Sequence, residues 1–185
     1  MKRSIIAAAV LAVIAGPVAA EEFSYSFVSA GYSTVDVDGI DGDGLGVTGS
    51  YAIADNWHIV AGYQGLGYDL DVDFNTLSAG IGYNTPVSDA IDIVAQVSYL
   101  YASVDTPIGD DSETGYGLGV GVRAYASEAV ELNGSINYAD IGDGSGETSL
   151  GAGFLFNFTE NFAAGVSGSW GDDVSGYSAN ARFYF

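Results

Sequence analysis

Apolar and small or polar positions alternate along almost the whole chain with a period of two, the pattern of strands with two unlike faces. Leu45, Val47, Gly49, Tyr51 and Ile53 take one parity, and Gly44, Gly46, Thr48, Ser50 and Ala52 the other. The same alternation runs through Trp57 to Tyr63, Leu77 to Tyr83, Ile91 to Tyr101, Tyr116 to Ala124 and Val130 to Tyr138. Leu150 to Phe156, Phe162 to Trp170 and Tyr177 to Phe185 continue it. With an opening segment near Phe23 to Val35, the pattern predicts ten strands, with eight as the alternative count. In that opening segment Phe23, Tyr25 and Phe27 share one parity while Val28, Ala30 and Tyr32 take the other, which predicts a bulge or slip near Phe27–Val28.

The connections come in two kinds. Short ones (Ala54 to Asn56, Thr85 to Ala90, Ala126 to Ala129, Phe158 to Asn161) follow every second strand. Long acidic or Gly-rich loops are expected at Asp36 to Asp43, Gly65 to Asp71, Asp105 to Thr114, Asp140 to Glu147 and Gly171 to Ser175. There is no linker, helical period or exact repeat, so the strands belong to one domain.

The N-terminus reads differently. Met1-Lys2-Arg3 is a positive start, Ser4 to Gly16 a short apolar run, and Val18-Ala19-Ala20 a set of small residues before Glu21-Glu22. Residues 1–20 therefore read as a secretory signal peptide cleaved between Ala20 and Glu21, leaving 21–185 as the barrel domain. A transmembrane helix is the rival, but the run is too short for a hydrocarbon core of roughly 30 Å. Losing the signal removes Lys2 and Arg3, which leaves Arg123 and Arg182 against all 24 acids. Such a chain repels nucleic acid. It holds no cysteine, which excludes disulfides, thiol chemistry and thiolate metal sites.

The weaker face decides between a soluble and a membrane barrel. It carries residues such as Thr48, Gln64, Gln96, Ser98, Asn133, Asn137, Ser167 and Asn180, with the glycines 117, 119 and 121. A soluble protein would place lysines and glutamates there, whereas small polar residues suit a narrow wet lumen with the bulky face turned to lipid. Aromatics give a second test. Tyr63, Tyr99, Tyr101, Tyr116, Tyr138, Trp170 and Tyr177 fall at the loop end, and Tyr51, Trp57, Tyr83, Phe154, Phe156, Phe162, Phe183 and Phe185 at the turn end. These form two interfacial girdles. Open edges would leave backbone groups unpaired in hydrocarbon, so the fold class is all-β, a closed antiparallel transmembrane β-barrel.

Two stretches carry a family resemblance. Ala181-Arg182-Phe183-Tyr184-Phe185 resembles the terminal signal of outer-membrane barrels, which implies recognition of Phe183 and Phe185 by the barrel assembly machinery. Asp41 to Gly44, Gly49 to Ala52, Asn56-Trp57-His58 and Ala61-Gly62-Tyr63 resemble the small porin-like, OmpA-like and OmpX-like barrel superfamily of Gram-negative cell envelopes. The likeness spans the mature chain and implies an outer-membrane location with lipid and lipopolysaccharide as surroundings. It says little about activity, because loops differ among such proteins.

Candidate chemistry is sparse. His58, the sole histidine, opens a strand at the turn end on the lumen parity, far from the loops, so a structural role is expected rather than catalysis. Both mature arginines take lumen parity near the turn end. Arg123 comes almost opposite Glu131 across a short turn, with Asp92 entering from the preceding strand. A charge network of Asp92, Arg123 and Glu131, joined by Arg182 and His58, is expected to narrow that end of the lumen. The plainer alternative is mutual neutralisation in a wet interior.

Most of the 24 acids fall in the predicted loops. Asp36 to Asp43 resembles a calcium loop only superficially, because Ile40 occupies the fifth position and no Glu closes the loop. Loose divalent-cation bridging to lipopolysaccharide phosphates stands beside the plainer reading of a hydrated, self-repelling rim, and no cofactor or specific metal site is expected. Three function classes stand: a structural or surface-interaction barrel with acidic loops, a narrow cation-preferring porin-like channel, and, least supported, an outer-membrane enzyme.

Overall fold

The computed structural model describes residues 23–37, 39–68, 72–142, 146–172 and 174–185. The expected signal peptide and its Ala20–Glu21 junction lie outside the described residues. Ten strands follow in chain order: β1 Phe27–Val37, β2 Ile40–Ala54, β3 Trp57–Tyr68, β4 Val72–Ser88, β5 Ile91–Thr106, β6 Gly109–Ser127, β7 Val130–Ile141, β8 Glu147–Thr159, β9 Phe162–Trp170 and β10 Val174–Tyr184. Each pairs antiparallel with its sequence neighbour, and β1 closes on β10 from Phe27↔Tyr184 to Val37↔Val174. The expected ten-stranded closed barrel is the observed one, with every strand edge paired as a hydrocarbon environment demands.

The faces divide as the alternation predicts. Val47, Ile59, Ile81, Val97, Val120 and Ile136 are exposed on the outer wall, and the girdle aromatics stand beside them, with Tyr99 and Tyr177 toward one end and Trp57 and Phe183 toward the other. Trp57 packs edge-on against Tyr83, Trp170 edge-on against Tyr177, and Phe185 stacks on Tyr51. Phe185 thus lies on the outer wall at the turn end.

Two expectations are corrected. The slip near Phe27–Val28 is absent, since the β1 register runs unbroken against both neighbours. Phe23, Tyr25 and Phe27 share a parity because they point into the lumen, while Val28 and Tyr32 face out. The long loops are also shorter than expected. β1 and β2 stay paired up to Val37↔Ile40, and β5 and β6 up to Thr106↔Gly109. Asp36, Asp41, Asp43, Asp105, Asp110, Asp111 and Glu113 therefore sit on strands, because the hairpins continue as paired ribbons past the girdle. Gly39 at φ 83° supplies the left-handed position that the first of these tight turns needs.

The four short turns share one construction. Each strand entering a turn carries an irregularity just before it, at Ala52/Ala54, Pro86/Ser88, Tyr125/Ser127 and Asn157/Thr159. Each turn's last carbonyl then accepts from the neighbouring hairpin: Asn84 N–H donates to Asn56 O, Tyr125 to Ala90, Asn157 to Ala129 and Tyr184 to Asn161, at 2.8 to 3.0 Å. These bonds knit the turn end into a continuous rim. The β4 strand runs to Ser88, so Thr85 to Ser88 belong to it rather than to the turn.

Candidate functional site

The turn end of the lumen is filled, and the filling starts from the chain segment 23–26 ahead of β1. Alternation in that segment puts Phe23 and Tyr25 on the inner side, where both are buried. Ser50 Oγ donates to the Tyr25 carbonyl at 2.7 Å, which fixes the segment against β2. The Tyr25 phenol donates to Asp92 Oδ2 at 2.7 Å, which ties it to β5 on the far side. Its ring stacks on the His58 imidazole with centroids 4.7 Å apart. Gly82 faces His58 across the β3–β4 pairing, and a Cβ there would collide with the imidazole, so the glycine makes the room that the ring occupies.

Arg123 is the centre of the cluster. Its Nε and Nη2 donate to the two carboxylate oxygens of Glu131 at 2.8 and 2.9 Å, a bidentate pair with Glu131 fully buried. Its Nη1 donates to the Ser24 carbonyl at 3.1 Å. The guanidinium also lies 4.8 Å from the ring centroids of both Phe23 and Tyr25, a cation held between two aromatic faces. Phe23 in turn stacks on Tyr125 at 4.3 Å. One side chain therefore joins β6, β7 and the N-terminal segment.

The remaining predicted residues occupy the same end in different company. Asp92 is the cross-strand neighbour of Arg123, but the hydrogen bond its carboxylate accepts comes from Tyr25. Arg182 projects from β10 over the Phe27 ring at 4.1 Å and donates to the Tyr184 hydroxyl at 3.4 Å. Phe27 and Tyr184 pack with Leu155 and Ala163 as an apolar half of the floor. Among the described residues Arg123–Glu131 is the ion pair of this floor. Sequence reasoning placed the charged groups but missed Phe23, Ser24, Tyr25 and Tyr125. The signal was present in the odd parity of Phe23 and Tyr25, which reads equally as a bulge until the lumen is seen to receive them.

Chemically the floor is a packed set of aromatic rings and buried charged groups. No serine, threonine or cysteine of the described residues is among the partners of His58: its ring stacks on Tyr25, its side chain is hydrogen-bonded with Asn84, and its Nδ1 has no hydrogen-bond partner. Above it the lumen opens into a cavity of ≈ 1540 Å³. Among the described residues no three acids or histidines come together as a metal-binding group, and no helix is long and apolar enough to cross a membrane.

The family model described as "Outer membrane protein beta-barrel domain" matches residues 5–158. Among solved structures the chain is similar to Neisserial surface protein A, at 20% identity over 89% of this chain and 100% of the other, with a TM-score of 0.45. It is also similar to the KdgM porin, at 12% identity over 85% and 99%, with a TM-score of 0.46. A third is Ail, the attachment invasion locus protein of Yersinia pestis, at 18% identity over 86% and 96%, with a TM-score of 0.38. No curated protein matches the sequence.

Proposed function

The chain belongs to the outer membrane protein β-barrel family, and from that premise we propose that it is a surface-interaction or structural barrel whose lumen is sealed on the periplasmic side. The observation that carries this reading is the floor: Phe23 to Ser26 folded into the lumen and clasped by Arg123, with Glu131 completely buried behind it. A pore would need that end open. Barrels with few strands are filled by side chains in any case, and here the chain adds a segment of backbone.

Export through cleavage at Ala20–Glu21 would leave the plug segment close behind the new N-terminus. Phe183 and Phe185 are the residues offered to the assembly machinery. Outward carboxylates stand above the girdle tyrosines, as where the Tyr32 hydroxyl donates to Asp43 at 2.7 Å. At that height they face the headgroup layer of lipopolysaccharide, and divalent cations are the natural bridge between carboxylate and phosphate.

A narrow cation-preferring channel is the second reading, favoured by the size of the cavity and by the acid excess. It requires the floor to move. The enzyme reading has the least support, because the sole histidine, His58, is packed against Tyr25 at the floor. Planar-bilayer recording separates the first two. The sealed barrel shows no conductance steps and gains them in Tyr25→Ala; steady cation-selective steps from the unaltered protein would replace this reading with the channel.

A further inference from the structure

The β5–β6 hairpin outruns the strand beside it. Its two strands stay paired up to Thr106↔Gly109, whereas β6 parts from β7 at Gly115↔Ile141. The last bond on that side is the Gly142 N–H donating to the Thr114 carbonyl at 3.1 Å, with the Glu113 carboxylate lying against Gly142. From there residues 109–114 run on for roughly 20 Å, and every one of them is exposed. On the other side β5 is backed by β4 as far as Asp73↔Asp105. Among the described residues no strand pairs with residues 109–113 from the β7 side, so the hairpin is a supported sheet with one open edge.

The backbone groups on that edge can be named. In an antiparallel ladder the N–H and C=O of one residue point to the same side, and the side alternates along the strand. The Thr114 carbonyl points toward β7, and the Gly109 carbonyl accepts from Thr106 Oγ1 at 2.6 Å on the β5 side. Asp110 and Ser112 therefore turn their backbone groups to the open edge. There the Ser112 N–H donates to Asp111 Oδ1 at 2.8 Å, a side chain standing in for an absent strand. An incoming strand carbonyl takes over that amide and releases the Asp111 carboxylate for a cation.

Charge selects the strand. Asp110, Asp111 and Glu113 line the edge, and Asp105 stands directly across from Asp110. Like charges opposed on paired strands cost free energy that a cation recovers, while both mature arginines are held at the floor. A second copy of this chain would bring another acidic edge and be repelled. We propose that residues 109–113 are a strand-addition site for an extended basic peptide of an outside partner, with Lys or Arg at alternate positions. Asp111 and Glu113 share one face of the ribbon, so basic residues two apart on the incoming strand meet both. Ile108 at the tip, 99% exposed, gives the partner an apolar contact at the end of the charged edge. The proposal rests on the surface-interaction reading and gives its partner a chemical class.

The test is fluorescence anisotropy of a labelled peptide of alternating Lys and Thr, titrated with the full chain in phosphatidylcholine nanodiscs, with empty discs subtracted. Saturable binding is expected. The same peptide N-methylated along its length keeps its charges but has no N–H to donate, and is expected to bind about tenfold more weakly. Ser112→Pro removes the edge N–H and spares the β5 ladder, with an expected loss of about fivefold. Glu113→Gln is expected to cost about threefold. Heat-modifiable gel mobility reports whether each variant is folded, and should Ser112→Pro fail to fold, Glu113→Lys carries the expectation of a larger loss than Glu113→Gln. Absence of saturable binding overturns the proposal. So does an N-methylated peptide that binds as tightly as its parent, which makes the edge a collector of cations only. Affinity untouched by the hairpin substitutions also overturns it, by placing the peptide elsewhere on the acidic surface. The anisotropy reads the same whether or not the barrel conducts, so this proposal can fail while the sealed barrel stands, and conductance steps can unseat the sealed barrel without touching the edge.

Discussion

The Tyr25 hydroxyl donates a 2.7 Å hydrogen bond to Asp92, linking a segment that precedes the first strand to the beginning of β5. Both residues are buried, so the bond is the means by which the carboxylate tolerates its place in the floor. Removing the donor alone strands the acceptor. Tyr25→Phe is predicted to lower stability by about 1 to 3 kcal/mol. Asp92→Asn, which keeps an acceptor and sheds the charge, is predicted to cost less. Urea titration of the folded band on unheated gels ranks the two, and the reverse order would show that the bond does not anchor the plug.

Arg123 and Glu131 form a buried pair whose two members depend on each other. Arg123→Ala leaves an uncompensated carboxylate and empties the space between Phe23 and Tyr25, with a predicted loss of about 3 to 5 kcal/mol. The double variant Arg123→Met, Glu131→Leu removes both charges while keeping bulk, and is predicted to be more stable than Arg123→Ala alone. Arg123→Ala should also raise single-channel conductance, because the guanidinium holds Ser24 in place. If neither stability nor conductance moves, the plug does not depend on this residue.

Gly82 exists as a glycine because His58 needs the volume of its side chain. Gly82→Ala is predicted to cost about 1 to 3 kcal/mol through displacement of the imidazole from its stack on Tyr25. Combining it with His58→Ala should cost less than the sum of the two single changes, and a double-mutant cycle measures the coupling. Strict additivity would mean that the ring has another place to go.

The barrel was legible from alternation, since Leu45 to Ile53 and Val97 to Tyr101 assign lipid and lumen faces without further information. The floor was legible only in part. Arg123, Glu131 and Asp92 declare themselves as charges at lumen parity, but the order of their pairing depends on a diagonal reach, for Arg123 is paired with Asn133 and Glu131 with Tyr125. Phe23 and Tyr25 stayed hidden because parity in a segment that belongs to no strand does not name a face. The acidic hairpins read as loops in sequence because glycine and aspartate weaken strand propensity, yet pairing with a partner that is already in register carries β1–β2 and β5–β6 to their tips.

The face assignment itself is open to a direct test. Val120 stands on the outer wall, midway along β6 between the girdle residue Tyr116 and the turn end, and Gln96 faces the lumen from the adjoining strand, opposite Gly119. The two lie close together in the sheet and on opposite sides of it, so they share strand propensity and neighbours but not solvent. An arginine on the lipid face near the bilayer midplane costs about 2 to 4 kcal/mol. Val120→Arg is therefore predicted to lower the unfolding free energy of the barrel, read from urea titration, by an amount of that size. Gln96→Arg enters a polar lumen, where Gly119 leaves room and the acid excess of the chain favours a cation, and is predicted to stay near the unaltered protein. Equal losses at both positions would mean that the two faces are not lipid and lumen, and the reading of the weak face would fall with them.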